Sequence, residues 1–145
     1  MIRFVIHGRP VAWQRPENRA GGGRRAAPES AAYQSLVRTI AGASAARDRA
    51  FPARGECTIL VAVYVPDLRR RDLDNCAKNI LDGMKGPIYA DDTQVEALVA
   101  IKRVDRGSPR VEVIAIPEFV DVFEIVAAAT SGVAWAHASD RAGPA

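Results

Sequence analysis

The sequence predicts an α+β fold: a single two-layer domain in which two helices pack on a mixed or antiparallel sheet. Two observations support this prediction. The chain has 145 residues, of which 48% are hydrophobic, and this fits one domain with one core. Short β-rich runs precede, separate and follow two segments with helical periodicity.

The first element is a strand at Ile2 to Ile6, which ends at Gly8 and Pro10. The following stretch, up to Pro28, is rich in Arg, Gly and Pro and predicts a long basic loop. Its run Gly21–Gly23 has no apolar anchor, so we expect it to be mobile until a negatively charged partner orders it. A solvated loop without function is the alternative interpretation.

The next elements are a helix and a buried strand. From Glu29 to about Arg47, apolar residues recur at three- and four-residue steps, and Ser30 is available as a cap. Thr58 to Val65 reads as a strand that is buried on much of both faces and is closed by Pro66.

The second helix has the clearest pattern in the chain. It is predicted from Asp72 to Met84, with Asp72 at the N-cap and with Gly83, Gly86 and Pro87 marking its end. One apolar stripe contains Leu73, Cys76, Ala77, Ile80, Leu81 and Met84.

The last predicted strands are Val95 to Val104 and Val111 to Ile116, joined by the turn Asp105 to Pro109 as an antiparallel hairpin. Beyond Pro117 the pattern assigns no element, because residues 119–126 alternate like a strand whereas the alanines that follow favour a helix. Residues 139–145 are expected to be disordered.

Charge is distributed unevenly along the chain. Up to Arg71 there are 13 basic and 5 acidic residues, and after it 7 basic and 12 acidic residues, although the total is only +3. A basic first half is typical of a nucleic-acid binder, and an acidic second half could hold cations. The alternative is an arginine-rich surface that serves only solubility.

Other features limit the class of protein. Cys57 and Cys76 form no C-x-x-C motif, so neither a zinc site nor a disulfide framework is indicated. The amino terminus lacks a signal-peptide hydrophobic region, and no segment approaches the roughly 18 apolar residues of a membrane span. We therefore expect a soluble cytoplasmic protein.

The most informative stretch combines Arg69, Arg70 and Arg71 with Asp72, Asp74, Asn75 and Lys78, followed by Asp91 and Asp92. Crowded carboxylates repel one another unless a cation relieves them, and oxygen-only ligands suit a hard divalent ion such as Mg²⁺, with Mn²⁺ as a substitute. The arginines suit a polyanionic substrate. The stretch predicts a metal-dependent site that cuts phosphodiesters.

The spacing predicts how this site is assembled. Asp74 and Lys78 are four residues apart and face the same way on the predicted helix. Asp91 or Asp92 adds a further carboxylate from the next segment. Three carboxylates could thus converge on one ion, while Lys78 helps the leaving oxygen or holds a phosphate oxygen. The alternative interpretation is a helix cap, an exposed ion pair and a turn.

These motifs carry a resemblance to a known family. Val65-Pro66-Asp67, then Arg-Arg-Arg-Asp-Leu-Asp-Asn with a lysine three residues on, and Asp-Asp-x-Gln-Val resemble the RusA family of Holliday junction resolvases. The resemblance spans residues 1–117 and leaves residues 118–145 as an extension of unknown role. It implies a RusA-like fold. It also implies that Asp72, Asp74 and Asp92 bind the metal, with Asp91 beside them, and that Lys78 is the catalytic lysine.

The resemblance also implies a homodimer that makes paired, symmetric nicks in four-way DNA junctions during recombination and repair. The expected DNA contacts are Arg69, Arg70, Arg71, Arg15, Arg24, Arg25, Asn75 and Trp13. Trp13 lies in the basic loop and is the best candidate for stacking on bases, ahead of Tyr64 and Tyr89.

Three other functions remain open. The first is a non-catalytic protein that binds branched DNA, in which the aspartates only cap helices and pair with arginines. The second is a less selective metal-dependent DNA nuclease. The third is a phosphatase with an Asp-x-Asp nucleophile, which is disfavoured because that motif would directly follow a buried strand rather than open a helix.

Overall fold

The computed structural model describes residues 1–18, 24–25, 27–67 and 72–130. Six strands, three α-helices and one short 3₁₀ turn occur in these ranges. The strands are β1 (Ile2–His7), β2 (Glu17–Asn18), β3 (Arg24–Arg25), β4 (Cys57–Val65), β5 (Val95–Val104) and β6 (Arg110–Ile116). The α-helices are α1 (Pro28–Ala45), α2 (Leu73–Met84) and α3 (Val122–Thr130), and the 3₁₀ turn is Asp92–Gln94.

The main sheet is mixed and has four strands in the order β1-β6-β4-β5. β6 pairs antiparallel with both β1 and β4, whereas β5 pairs parallel with β4. The predicted α+β fold with helices on a mixed sheet is therefore confirmed. The two-residue strands β2 and β3 form a separate small ribbon within the predicted basic loop.

The predicted β5–β6 hairpin is wrong, because β4 lies between these two strands. The turn after β5 passes over the end of β4, where the Asp105 N–H donates to the Val65 carbonyl at 2.8 Å. The chain instead goes from β4 through α2 to the parallel strand β5. Parallel neighbours require such a crossover, and a helix commonly supplies it.

One face of the sheet forms the core with α1 and α2. Alternate residues of β1, β4 and β6 are buried there, as expected for a sheet with helices on one side, whereas the edge strand β5 has no buried residue. They include Ile2, Phe4 and Ile6 of β1, Ile59, Val61 and Val63 of β4, and Val111, Val113 and Ala115 of β6.

Gly83 lets the two helices approach closely. A Cβ atom at this position would lie 2.7 Å from the Val37 Cβ of α1. Gly83 therefore lies one residue before the end of α2, as predicted, and is also a packing residue. The helix ends at Met84, and Gly86 follows with a φ of +104° that favours glycine.

The carboxyl-terminal segment, for which the sequence assigned no element, forms α3. Thr58 holds the chain before this helix: its Oγ1 donates to the Glu118 carbonyl and accepts from the Val120 N–H. Phe123 in α3 is 81% exposed, so this helix adds little to the core. No helix in the described part of the chain is long and apolar enough to cross a membrane. The predicted disorder of residues 139–145 lies outside the described residues.

Candidate active site

The amino end of α2 presents two carboxylates to solvent. Asp72 is the N-cap residue, as predicted, with an extended backbone, but its side chain makes no capping hydrogen bond. Asp74 follows in the first turn and is also exposed. An N-cap aspartate normally accepts a hydrogen bond from the first turn. Within the described residues, the Asp72 carboxylate therefore has no capping partner and can bind another group.

Lys78 projects from the next turn of α2, with its side chain about half exposed. Its Nζ lies 3.7 Å from Asp82 Oδ2 and 5.2 Å from the centroid of the Trp13 ring. The lysine thus pairs with Asp82, four residues after it, rather than with Asp74, four residues before it. Trp13 reaches this position because its backbone N–H donates to the Asn75 carbonyl at 2.9 Å.

Asp91 and Asp92 lie in a turn with many internal hydrogen bonds. Asp91 Oδ1 accepts from the Thr93 N–H at 3.0 Å, and Gln94 Oε1 accepts from the N–H groups of Ala90 and Asp91. This reciprocal pair is a capping box for the 3₁₀ turn. The sequence pattern did not predict it.

Lys85 bridges this acidic pair and offsets part of its charge. Its Nζ lies 3.2 Å from Asp91 Oδ2 and 3.1 Å from Asp92 Oδ1. The hydrogen bonds from Thr93 and then the Lys85 ammonium hold the pKa of the Asp91 carboxyl well below its usual range. Conversely, the bonds to Asp92 and Asp91 raise the pKa of Lys85. Lys85 precedes Asp92 by seven residues across a turn, and this spacing does not indicate a contact between the two side chains.

The two acidic segments lie at opposite ends of α2. Because β4 and β5 are parallel, Val95 at the start of β5 lies beside Cys57 at the start of β4, far from Val65 at its end. The helix between these ends has 12 residues and is therefore about 18 Å long. Gln94 confirms this position: its Nε2 donates to the carbonyls of Ala53 and Gly55, which precede β4.

The predicted convergence of carboxylates is therefore not found within one chain. In residues 1–18, 24–25, 27–67 and 72–130, no three His, Cys, Asp or Glu side chains lie close enough together to hold a metal ion. The assignment of Asp72, Asp74, Asp91 and Asp92 to metal binding remains a prediction.

The predicted DNA contacts are distributed as follows. Arg15 is exposed in the loop after β1, and Arg24 and Arg25 form β3. Asn75 lies in the first turn of α2. Arg69, Arg70 and Arg71 lie outside the described residues.

The two tyrosines considered for base stacking have other contacts. Tyr89 is fully buried, and its hydroxyl donates to the Leu81 carbonyl, so the stacking prediction is wrong for this residue. The Tyr64 ring is covered by the Arg110 guanidinium at 3.8 Å. Arg110 is itself held by Asp105 and Glu112, both at 2.8 Å.

Ser30 and Asn79 have structural roles that sequence reasoning missed. Ser30 does not cap α1: it is buried, and its Oγ accepts from the Gln14 N–H at 3.0 Å. Asn79 is also fully buried. Its spacing, three residues after Cys76 and four before Gly83, places it on the buried side of α2 and could have revealed this role.

A family model matches most of the chain. The family model for endodeoxyribonuclease RusA matches residues 7–115, which run from the last residue of β1 to the penultimate residue of β6. No curated protein matches the chain. Because the family match covers well over half of the sequence and includes both acidic segments, this protein belongs to the RusA family of endodeoxyribonucleases.

Proposed function

We propose that this protein is a Mg²⁺-dependent, structure-specific endonuclease that resolves four-way DNA junctions by paired symmetric nicks, in recombination and repair. Asp72, Asp74 and Asp92 are the proposed metal ligands, with Asp91 beside Asp92, and Lys78 is the proposed catalytic lysine. The observation that carries the proposal is the amino end of α2, where the Asp72 carboxylate is exposed and makes no capping hydrogen bond, in a chain that belongs to a nuclease family.

The donor set fits a hard divalent cation. Asp72, Asp74 and Asp92 are exposed and offer only carboxylate oxygens, and Mg²⁺ binds through one or two carboxylates together with waters and substrate oxygens. A bound Mg²⁺ would activate a water and neutralise charge on the scissile phosphate.

The residues of the chain supply the remaining functions. The Lys78 ammonium would hold a phosphate oxygen or assist the leaving oxygen, because Lys78 lies in the second turn after the amino end of α2. The positive end of the α2 dipole favours an anion nearby, which supports the approach of a phosphate. Asn75 would hydrogen-bond the backbone of the DNA from the first turn.

A homodimer would complete the metal site. Asp72 and Asp74 are separated from Asp92 by the length of α2, so one chain alone cannot close three carboxylates around one ion without refolding. In a two-fold symmetric dimer, each chain would contribute Asp72 and Asp74 to one site and Asp92 to the other. Two such sites would then face the two strands that are nicked.

Basic residues would bind the junction backbone. Arg15, Arg24 and Arg25 lie in the segment that follows β1, and Arg69 to Arg71 directly precede the Asp72 carboxylate in sequence. Contacts of arginine with phosphate release counterions, so we expect junction affinity to fall steeply as salt rises.

One observation favours a non-catalytic junction binder as the second candidate. No group of three carboxylates or other metal ligands forms within the described part of a single chain. In that case the protein would bind junctions with the same basic residues but would not cut them. A less selective nuclease would cut linear duplex as well.

The test is cleavage of a labelled synthetic four-way junction, beside linear duplex and flap controls, with and without Mg²⁺. We expect paired Mg²⁺-dependent nicks with the wild type and none with Asp72→Asn. The matched control is Asp121→Asn, which changes another helix-initiating carboxylate outside the family match. Binding without cleavage would favour the non-catalytic protein, and equal cutting of every substrate would indicate a general nuclease.

A further inference from the structure

Residues 10–14 form a segment that is fixed across α2 by several hydrogen bonds. The Trp13 N–H donates to the Asn75 carbonyl at 2.9 Å, and the Gln14 N–H donates to Ser30 Oγ at 3.0 Å. These bonds connect the segment to both helices at the end where Asp72 and Asp74 lie. The backbone around Trp13 is therefore held in place before any substrate binds.

Asn79 anchors the same segment from inside the core. Its side chain is fully buried, with Nδ2 donating to the Val11 carbonyl at 2.9 Å and Oδ1 accepting from Gln34 Nε2 at 2.9 Å. A buried amide with both ends satisfied specifies one arrangement, because any displacement leaves polar groups without partners. Asn79 thus holds the backbone two residues before Trp13 against α2.

The Trp13 ring limits the position of the Lys78 ammonium. A lysine has a long flexible stem, and this one is about half exposed, so its charged group would otherwise sample many positions. Its Nζ is 5.2 Å from the ring centroid, within the range of a cation–π contact, while Asp82 Oδ2 lies 3.7 Å away. Together these two groups keep the ammonium over α2.

We propose that Trp13 is a positioning residue for Lys78 and that Asn79 holds Trp13 in place for this purpose. The inference rests on the proposed function, in which Lys78 acts on the scissile phosphate. It assigns Trp13 a role different from base stacking, since the aromatic ring serves the lysine rather than the DNA. A small displacement of a catalytic group can reduce a rate by as much as about a hundredfold, so a contact of this kind matters.

The test compares Trp13→Leu with Trp13→Phe, because both remove the indole but only Phe retains an aromatic face. We expect single-turnover junction cleavage to fall about tenfold in Trp13→Leu and by less than about threefold in Trp13→Phe. Junction Kd should stay within about twofold for both variants. The control Phe119→Leu, which removes an exposed aromatic ring outside the family match, should leave the cleavage rate within about twofold of wild type.

A second readout does not depend on cleavage. NMR of the Lys78 ε-methylene protons should show a ring-current shift that is present in the wild type, retained in part in Trp13→Phe and lost in Trp13→Leu. An absent ring-current shift in the wild type, or a Leu variant that cleaves as fast as the wild type, would overturn the positioning role. So would a raised junction Kd with an unchanged single-turnover rate, which would indicate base stacking. If the wild type cuts no DNA but the shift is present, the contact stands and the proposed function fails.

Discussion

The two acidic segments of this protein differ in what their carboxylates already bind. At one end of α2, Asp72 is an N-cap residue that makes no capping hydrogen bond. At the other end, Asp91 caps the following turn and shares the Lys85 ammonium with Asp92. The difference shows that aspartates of the same family pattern can have different physical roles: Asp91 stabilises its turn, whereas Asp72 has no capping partner among the described residues.

Asp91 and its neighbour Asp92 also differ in their hydrogen bonds. Asp91 uses one carboxylate oxygen for the Thr93 N–H and the other for Lys85. Asp92 contacts Lys85 through a single oxygen, Oδ1. We therefore infer that Asp92 is better able than Asp91 to bind a cation, and that Asp91 holds the turn in which Asp92 sits.

The largest expected effect is on catalysis, from a substitution at the amino end of α2. Asp72→Asn should reduce Mg²⁺-dependent cleavage by at least about a hundredfold, because even indirect partners of a metal typically contribute 10- to 100-fold. Junction affinity should stay equal or increase, since a carboxylate that repels phosphate is removed. Cleavage and electrophoretic binding assays measure the two quantities. If the variant is unfolded, Asp72 is a structural residue instead.

A smaller effect, on stability, is expected from a substitution in the turn that contains Asp91 and Asp92. Gln94→Ala removes four hydrogen bonds, two accepted from Ala90 and Asp91 and two donated to Ala53 and Gly55. We expect the free energy of unfolding to fall by roughly 2 kcal/mol, because such bonds contribute about 1 kcal/mol each and are not additive. Urea denaturation measures this change.

The matched control for this prediction is Gln14→Ala. Gln14 makes one exposed side-chain bond, to Glu29 Oε2 at 2.8 Å, so its loss should change stability by less than about 0.5 kcal/mol. Equal effects of the two substitutions would show that the Gln94 bonds do not fix the turn.

The smallest expected effect is on the pH dependence of stability. The pKa of Asp91 is lowered in the folded state, chiefly by the Thr93 N–H and then by Lys85. Its contribution is therefore complete above its unfolded pKa of about 4 and is lost as pH falls toward the lower folded value. Thermal unfolding between about pH 2 and pH 6 should show a shallower acid decline for Asp91→Asn than for the wild type. Parallel curves would contradict the structural role of Asp91.

Much of the fold could be predicted because local patterns determine it. The apolar stripe of α2 and the continuous apolar run of β4 gave their bounds to within about one residue. The position of β5 could not be predicted this way, since its pattern specifies a strand but not its neighbour. The turn Asp105 to Pro109 suits a hairpin, yet it crosses the end of β4.

The candidate site was predictable in its residue types but not in its geometry. The motif around Asp72 identified the helix and its acidic N-cap. The distance to Asp92 depends on the direction of β5, a tertiary property, so the expected convergence in one chain does not occur. Lys85 and the Trp13 contact with Lys78 likewise depend on which segments fold together.

Complementation between two inactive variants tests the central claim. In this claim, each metal site takes Asp72 and Asp74 from one subunit and Asp92 from the other. Asp72→Asn and Asp92→Asn chains with different tags are co-expressed, and the mixed dimer is isolated and assayed on a labelled four-way junction. The proposal predicts that each variant alone is inactive and that the mixed dimer nicks one strand, because one of its two sites is intact. The control dimer of Asp72→Asn with Asp74→Asn should stay inactive, since each of its sites carries one substitution. A folded Asp72/Asp92 mixed dimer without nicking activity would contradict the account.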